Sequence, residues 1–588
     1  MQIVRSLRLI GLTVALAYGA AASASATSDL GQIESLIKAG APRLALSLID
    51  RDQPLASDPA WAVWERVRYA AYHGLNDWSA LAQRAEQLPP DATPEFRRYA
   101  MLEAADAHTR RGDGESARRV LRQALIAEAL QPAQAAHARR LVIRSYLVED
   151  NLDDALTALA RYRVDFGARS EAWRLLHAEI ALRAERDREA YQTLAGLQSF
   201  EARLLRLLAG LRAAVYRPAG ALADSRALAK ELKNRPALAR QAWGLAARAA
   251  VRAGDARAHI EALESALAVP ESALSDPLFA VSADELWQAY DTFAEAEGNR
   301  ARLLVGDDRR WMARARKLPC RERLQARAMY AFLSRVAVDP VVRAEAHDWL
   351  GYTLFVDGKP ETAQALYMRS TRFGKLDAIP ATIRYRLADK ALAEYNVKVA
   401  AELVRDLDAA PPDEDADLWA LRRARMLVYA DEIEPGVALL TQRFDAHESL
   451  SDDLADRYLQ VLFDLQTLNR HSEAARLLAR LYELIESSAL QREVLFWRAD
   501  SAAALKRPRE AAELYLLSAT HGGANGLDPW GETARYRAAE ELGKAGLVDD
   551  ARNLYQGLLR QATDPKRRIQ IERNMQQLWL VRSKPTTP

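Results

Sequence analysis

The sequence has little cysteine, glycine or proline. Cys320 is its only cysteine in 588 residues, so an intramolecular disulfide is impossible and a small disulfide-stapled scaffold is excluded. Glycine (26) and proline (23) together make up about 8% of the chain, below the roughly 12% of average usage. Because these two residues interrupt helices most strongly, their scarcity in an alanine- and leucine-rich chain favours helix.

Motifs of catalysis are also missing. The sequence contains no Cys-x-x-Cys, no Gly-x-Ser-x-Gly and no pair of histidines four residues apart with a glutamate beside them. Gly543-Lys544 lacks the upstream glycine of a phosphate loop. The paired carboxylates Asp452-Asp453 and Asp549-Asp550 are interpreted as helix starts, where the helix dipole favours anions. We therefore expect a protein that is not an enzyme and holds neither cofactor nor metal.

The charge is nearly balanced, with 82 Lys and Arg against 80 Asp and Glu and a net charge of +2. Only 12 of the cations are lysine, so 70 are arginine. An arginine excess suits bidentate recognition of carboxylate or phosphate, and a compositional bias of the source genome is the alternative. Basic residues do not form runs with interleaved aromatics, so no nucleic-acid partner is expected.

Residues 1–26 have the composition of a secretory signal peptide. Arg5 and Arg8 precede an apolar stretch over 9–22, and Ala24-Ser25-Ala26 provides small residues for cleavage. The stretch is shorter than the ~20 residues of a membrane-spanning helix, although an uncleaved anchor is the alternative. We expect export to a bacterial periplasm, cleavage near Ala26-Thr27 and no integral membrane segment afterwards.

The chain repeats with a period near 37 residues. A small residue opens each predicted second helix of a repeat, and the first five intervals between these anchors are 37 while the last is 40. The anchors are Ala326, Ala363, Ala400, Val437, Ala474, Ala511 and Ala551, with a looser N-terminal series at Leu44, Ala80, Ala117, Ala155, Ala190, Ala221 and Ala258. Such units cannot bury their apolar faces alone, so they stack. We predict an all-α fold, an α-solenoid of stacked helix-turn-helix repeats.

One repeat shows the pattern within a unit. Leu350-Gly351 and Leu354 share a face of the first helix, residues 357–360 form a turn, and Ala363 and Tyr367 begin the apolar stripe of the second helix. In this spacing the chain resembles the tetratricopeptide repeat (TPR) family, with a period of 37 in place of that family's 34. Arg425 stands in a slot that is usually small, which puts close packing of that repeat in doubt. The resemblance implies a superhelix that binds proteins and whose first helices line a concave face.

The period breaks once, between Ala258 and Ala326. We therefore divide the mature chain into an irregular N-terminal helical array (27–270), an irregular helical connector or hinge (271–325) and a C-terminal TPR-like array (326–588). Within the connector, Asp284–Glu297 is predicted to be a helix. The run before Trp311 is the least repeat-like and is interpreted as a contact loop or, alternatively, as a helix start. Its residues are Asp307, Asp308, Arg309, Arg310 and Trp311.

A candidate binding surface follows from the resemblance. Aromatic and arginine residues, which are common at binding hot spots, occupy the outward slots of the first helices and would suit a peptide or helix laid in a groove. The alternative is that they pack against the adjacent repeat. The residues are Tyr352, Phe355, Tyr385, Arg422, Met426, Tyr429, Phe463, Phe496 and Tyr536. We predict a periplasmic scaffold for envelope or secreted proteins. A glycan-binding or export-guiding module for exopolysaccharide or peptidoglycan assembly is the alternative.

Overall fold

The computed structural model describes residues 30–127, 130–269, 276–523 and 528–582, and these residues form thirty α-helices and no β-strand. The signal peptide expected over residues 1–26, with its cleavage site, lies outside the described residues. The chain divides into two compact units, an N-terminal unit Met1–Ala289 and a C-terminal unit Tyr290–Pro588. Their boundary falls inside the predicted connector 271–325.

The described residues of the N-terminal unit form seven helix pairs before Ala283. Its helices are α1 (Leu30–Lys38), α2 (Pro42–Asp52), α3 (Trp61–Leu75), α4 (Trp78–Glu86), α5 (Pro94–Arg110), α6 (Gly114–Ala127), α7 (Pro132–Leu147), α8 (Leu152–Phe166), α9 (Glu171–Arg183), α10 (Asp187–Thr193), α11 (Phe200–Arg212), α12 (Pro218–Glu231), α13 (Pro236–Ala253) and α14 (Ala256–Leu267). Helix α15 (Ala283–Arg300), which contains the unit boundary, includes the helix predicted over Asp284–Glu297.

The C-terminal unit continues the same pattern. Its helices are α16 (Asp308–Lys317), α17 (Arg323–Val336), α18 (Pro340–Val356), α19 (Pro360–Met368), α20 (Ala381–Ala393), α21 (Val397–Val404), α22 (Ala416–Tyr429), α23 (Ile433–Asp445), α24 (Asp452–Thr467), α25 (His471–Leu484), α26 (Ser488–Ala504), α27 (Pro508–Thr520), α28 (Pro529–Lys544), α29 (Val548–Gln561) and α30 (Pro565–Arg582). In both units, consecutive helices contact each other along the chain, and many first helices also contact the first helix of the next repeat.

The predicted solenoid of helix pairs is therefore confirmed. The short turn inside a pair places one residue in the left-handed region, as at Gly358 (φ +68°) in the predicted turn 357–360, a conformation that favours glycine. All seven C-terminal anchors are buried on the opening turns of the second helices α17, α19, α21, α23, α25, α27 and α29. The 37-residue period is thus the spacing at which second helices enter the core.

Two of the N-terminal anchors predicted from the sequence lie one residue before the buried position. Leu44 is 51% exposed, whereas the next residue, Ala45, is fully buried. Likewise Leu81 is fully buried, and Ala80 is only partly so. With Ala45 and Leu81 as anchors, the intervals to Ala117 become 36 and 36, so the N-terminal repeats are more regular than the sequence alone indicated.

Close packing around Arg425 is preserved by a glycine on the partner helix. Gly351 occupies the slot equivalent to Arg425 in an earlier repeat. A Cβ on Gly351 would lie 2.5 Å from Ile383 Cδ1, which explains why a small residue stands there. Arg425 instead projects outward and is exposed. In the same repeat, a Cβ on Gly436 would lie 2.8 Å from Val428 Cγ2, so Gly436 permits the close approach of α22 and α23.

Many arginines satisfy the C-terminal carbonyls of helices. The last carbonyl groups of a helix have no intrahelical partners. In several repeats, an arginine on the first helix donates hydrogen bonds to these carbonyls at the end of the second helix of the same repeat. These bonds are Arg174 Nε to Thr193 O (2.7 Å), Arg240 Nη1 to Ala266 O (3.2 Å), Arg384 Nε to Leu403 O (2.7 Å) and Arg492 Nε to Ser518 O (2.8 Å). Part of the arginine excess is therefore structural. Among the described helices, none is long and apolar enough to span a membrane.

Candidate functional site

The first helices of the C-terminal unit are linked by pairs of opposite charge. Asp348 on α18 meets Arg386 on α20 (2.9 Å), and Asp389 on α20 meets Arg422 on α22 (3.4 Å). Arg425 on α22 then meets Asp464 on α24, with Nε 2.5 Å from Oδ2. We call these six residues the first-helix ladder, because each pair joins one first helix to the next.

The ladder is largely accessible to solvent. Asp389 and Arg425 expose half or more of their side chains, and Asp464 is the least accessible member at 11%. An exposed ion pair contributes about 0.2–1 kcal/mol to stability. The two more exposed pairs, Asp348–Arg386 and Asp389–Arg422, therefore hold the fold weakly, and exchanging either one for contacts with the charges of a partner would destabilise the protein little.

Two exposed tyrosines stand beside the ladder. Tyr352 is 43% exposed, and the Arg386 guanidinium carbon lies 5.6 Å from its ring centroid. Tyr429 is 42% exposed and its hydroxyl donates to Asp464 Oδ1 at 2.7 Å. Burial and the neighbouring Asp464 carboxylate raise the pKa of Tyr429. Each ring is thus held in place by a charged ladder residue while one part of it faces solvent.

The other seven predicted surface residues are less accessible. Tyr385 and Met426 are buried, and Tyr385 donates its hydroxyl to Ala409 O at 2.6 Å. The half-buried residues are Phe355, Arg422, Phe463, Phe496 and Tyr536. Their ring contacts are Phe463 with Trp497 (4.6 Å), Phe496 with Trp530 (5.1 Å) and Tyr536 with Tyr555 (5.8 Å). The nine residues therefore do not form one exposed stripe, because Tyr385 and Met426 are buried and three of the half-buried rings pack against rings of neighbouring helices.

In the contact-loop candidate, Asp308 begins helix α16 but binds the backbone of a later loop. Its buried Oδ2 accepts hydrogen bonds from Val338 N (2.7 Å) and Asp339 N (2.9 Å), immediately before α18. Trp311 is also buried and donates Nε1–H to Leu304 O at 2.9 Å. These two residues are structural.

The remaining residues of that candidate are more accessible. Asp307 immediately precedes α16, so the segment does contain a helix start, although the Asp307 side chain makes no capping hydrogen bond. Arg309 and Arg310 expose 90% and 77% of their side chains. They are the contact-loop residues that remain available to a partner.

Sequence reasoning missed the charged members of the ladder other than Arg422. The predicted surface consists of aromatic residues, Arg422 and Met426 at outward slots, and acidic residues at such slots are not part of that pattern. The missed residues are Asp348, Arg386, Asp389, Arg425 and Asp464. The signal that reveals them is a pair of opposite charges about one repeat apart in the first helices, with separations of 38, 33 and 39 residues.

Depressions also occur on the second-helix side of the C-terminal unit. One lies between α23 and α25 and is lined by Val437, Thr441, Glu473 and Arg476 among others. A second, more apolar one includes Leu516 and Leu554. Within the described ranges, no group of three or more His, Cys, Asp or Glu side chains is placed to hold a metal ion, and neither depression presents a catalytic arrangement.

Comparisons with known proteins return likenesses between structures alone. No protein-family model matches the chain, and no curated protein does. The chain is similar to yeast Tom70 at 11% identity and a TM-score of 0.22, over 84% of this chain and 98% of Tom70. It is similar to the APC/C hetero-tetramer Cut9-Hcn1 at 13% identity and a TM-score of 0.23, over 93% of each chain. These scores are too low to support an argument, so the repeat architecture rests on the helix pairing described above.

Proposed function

We propose that the protein is a non-catalytic scaffold of the bacterial periplasm that binds envelope or secreted proteins on the first helices of its C-terminal unit. The observation that carries the proposal is the pairing of exposed Tyr352 and Tyr429 with charged residues of the first-helix ladder. Aromatic rings and arginines dominate the energetics of protein interfaces. Here both are fixed in position before a partner arrives, which lowers the ordering penalty of binding.

The periplasmic location rests on the sequence of residues 1–26. Fractionation of the source bacterium tests it, since the proposal requires the mature chain in the osmotic-shock fraction with an N-terminus near Thr27. Recovery of the full-length chain with the cytoplasmic fraction would refute the location and leave the binding surface unaffected.

The binding surface is tested with truncated tyrosines. Full-length protein carrying Tyr352→Ala and Tyr429→Ala is immobilised beside wild type and Tyr395→Ala, and each is exposed to an envelope extract. Tyr395 is a matched control because it is 93% exposed in the turn after α20. We expect partners retained by wild type and the control to be lost from the double variant. Equal retention by all three would move the site elsewhere, and retention of polysaccharide in place of protein would favour the glycan-binding alternative.

A further inference from the structure

A segment of the N-terminal unit folds onto the first helices of that unit. Residues 276–282, between α14 and α15, form a turn in which Phe279 N donates to Asp276 O (2.9 Å) and Leu278 N donates to Asp276 Oδ1 (3.0 Å). Asp followed by Pro is the common opening of a type I turn. The conformation of this segment, hereafter the 276–282 turn, is therefore largely set by its own sequence.

The turn sits on α13 at a glycine. A Cβ placed on Gly244 would lie 2.2 Å from Phe279 O, so the backbone of the turn occupies the space that a side chain would fill. Arg248, one helical turn further along α13, donates Nη2–H to Pro277 O at 3.4 Å. Leu278 and Phe279 are 5% and 3% exposed. The turn is thus held as a bound peptide is held. Its backbone packs against a glycine, one of its carbonyls accepts a hydrogen bond from an arginine, and two of its apolar side chains are buried.

The turn also reaches a first helix two repeats earlier. Arg183 on α9 lies with Nη2 3.7 Å from Asp276 Oδ1, although helices α10 to α14 lie between them in the chain. The same nitrogen lies 3.1 Å from Glu179 Oε1. Arg183 is thus shared between two carboxylates, and burial together with the like charge of Glu179 raises the pKa of Asp276. Arg183 therefore binds the Asp276 carboxylate less firmly than it would if Glu179 did not share it.

We propose that this first-helix surface of the N-terminal unit is a peptide-binding site whose occupant in this structure is the 276–282 turn. The partner that it fits is a protein segment presenting the same turn, with a carboxylate followed two and three residues later by apolar side chains. Such a segment would displace the turn and pair its carboxylate with Arg183. The proposal concerns the N-terminal unit and does not depend on the first-helix ladder of the C-terminal unit.

Phe279→Ala weakens the hold of the turn and leaves the helices beneath it unchanged, because it removes a buried apolar side chain of the turn itself. Gly244→Ala tests the helix surface. Alanine is a better helix former than glycine, whereas its Cβ would clash with the carbonyl of any peptide seated as Phe279 O is now. Gly220→Ala is the matched control, because Gly220 also lies within a helix, α12, and has no atom within 4 Å of an added Cβ. All variants are made in the full chain, and circular dichroism checks that helicity is retained.

The binding assay uses a fluorescein-labelled peptide with the sequence of residues 276–282 and measures its anisotropy. A tethered competitor acts at an effective concentration in the millimolar range. We therefore expect Phe279→Ala to bind the peptide at least 10-fold more tightly than wild type does. Adding Gly244→Ala or Arg183→Ala to Phe279→Ala should reverse that gain, whereas adding Gly220→Ala should not. Equal, weak binding by all variants would overturn the proposal.

Hydrogen exchange on the unmodified chain gives a second test that needs no variant. If the turn dissociates reversibly from the helices, the amides of residues 278–282 exchange at least 10-fold faster than those in the middle of α13. If they share the protection of α13, the turn is a fixed part of the core and the proposal is wrong.

Discussion

His347 makes the C-terminal unit sensitive to mild acid. This side chain is 7% exposed, and its Nδ1 lies 2.9 Å from the Tyr367 hydroxyl, which donates to it. Burial, with the nearby positive charges of Arg372 and Arg343, lowers the pKa of His347 from 6.5 to about 4. The Tyr367 hydroxyl stays protonated across this range, since burial raises its pKa.

The sign of the effect follows from proton binding. As pH falls through 6.5, His347 takes up a proton in the unfolded chain but not in the folded one, so the unfolded state gains relative stability. The stability that depends on a neutral His347 is fully present above pH 6.5 and is lost progressively as the pH falls to about 4. With 1.36 kcal/mol for each pH unit, this residue accounts for a loss of about 3 kcal/mol.

His347→Gln tests this reasoning. Glutamine offers an oxygen to the Tyr367 hydroxyl but does not titrate, so the variant is expected to be less stable than wild type at pH 7.5 by about 1 kcal/mol. Urea unfolding followed by tryptophan fluorescence at pH 7.5, 6.5, 5.5 and 4.5 gives the comparison. The wild-type midpoint should fall toward, and then below, that of the variant as the solution is acidified. Parallel pH profiles for the two proteins would refute the assignment.

Three further predictions concern stability and are measured by thermal or urea unfolding. Gly436→Ala should destabilise the protein by about 1–3 kcal/mol through overpacking against Val428. Gly557→Ala, which has open space around the added Cβ, should stabilise it by up to about 1 kcal/mol. Stability changes of the same sign for both variants would contradict the packing argument. Asp308→Ala should destabilise the protein by about 1–3 kcal/mol, because Val338 N and Asp339 N lose their acceptor. Its control, Asp307→Ala, removes only an exposed ion pair to Arg310 and should change the stability by no more than about 0.5 kcal/mol. Equal effects of the two substitutions would contradict the structural role given to Asp308. Arg384→Lys should cost about 1–3 kcal/mol, since lysine cannot bind Leu403 O and the Asp406 carboxylate together; unchanged stability would contradict that role.

The repeat pattern could be predicted from the sequence because it depends on local composition. Small residues such as Ala363 and Ala400 recur wherever a second helix enters the core, and a regular period survives variation at other positions. The shift from Leu44 to Ala45 shows what local composition does not determine. Both are apolar residues near a helix start, and only packing against neighbouring helices decides which one is buried.

The candidate surface could be predicted only in part. An outward slot identifies a position on a helix, but whether the side chain stays exposed depends on the neighbouring repeat. Tyr385 and Met426 are covered in this way, while Tyr352 and Tyr429 are not. The position of the 276–282 turn on the first helices could not have been predicted, because Arg183 and Asp276 are brought together by the stacking of two further repeats between them.

The most direct test of the central claim, that the first helices carry the working surface, is photocrosslinking in intact cells. A photoreactive amino acid is placed singly at Tyr352 and Tyr429 on the first helices, and at Thr441 and Leu517 on the second helices, and adducts are identified by mass spectrometry. We predict the same discrete protein adduct from Tyr352 and Tyr429 and none from Thr441 or Leu517. An adduct from the second-helix positions alone would contradict the account.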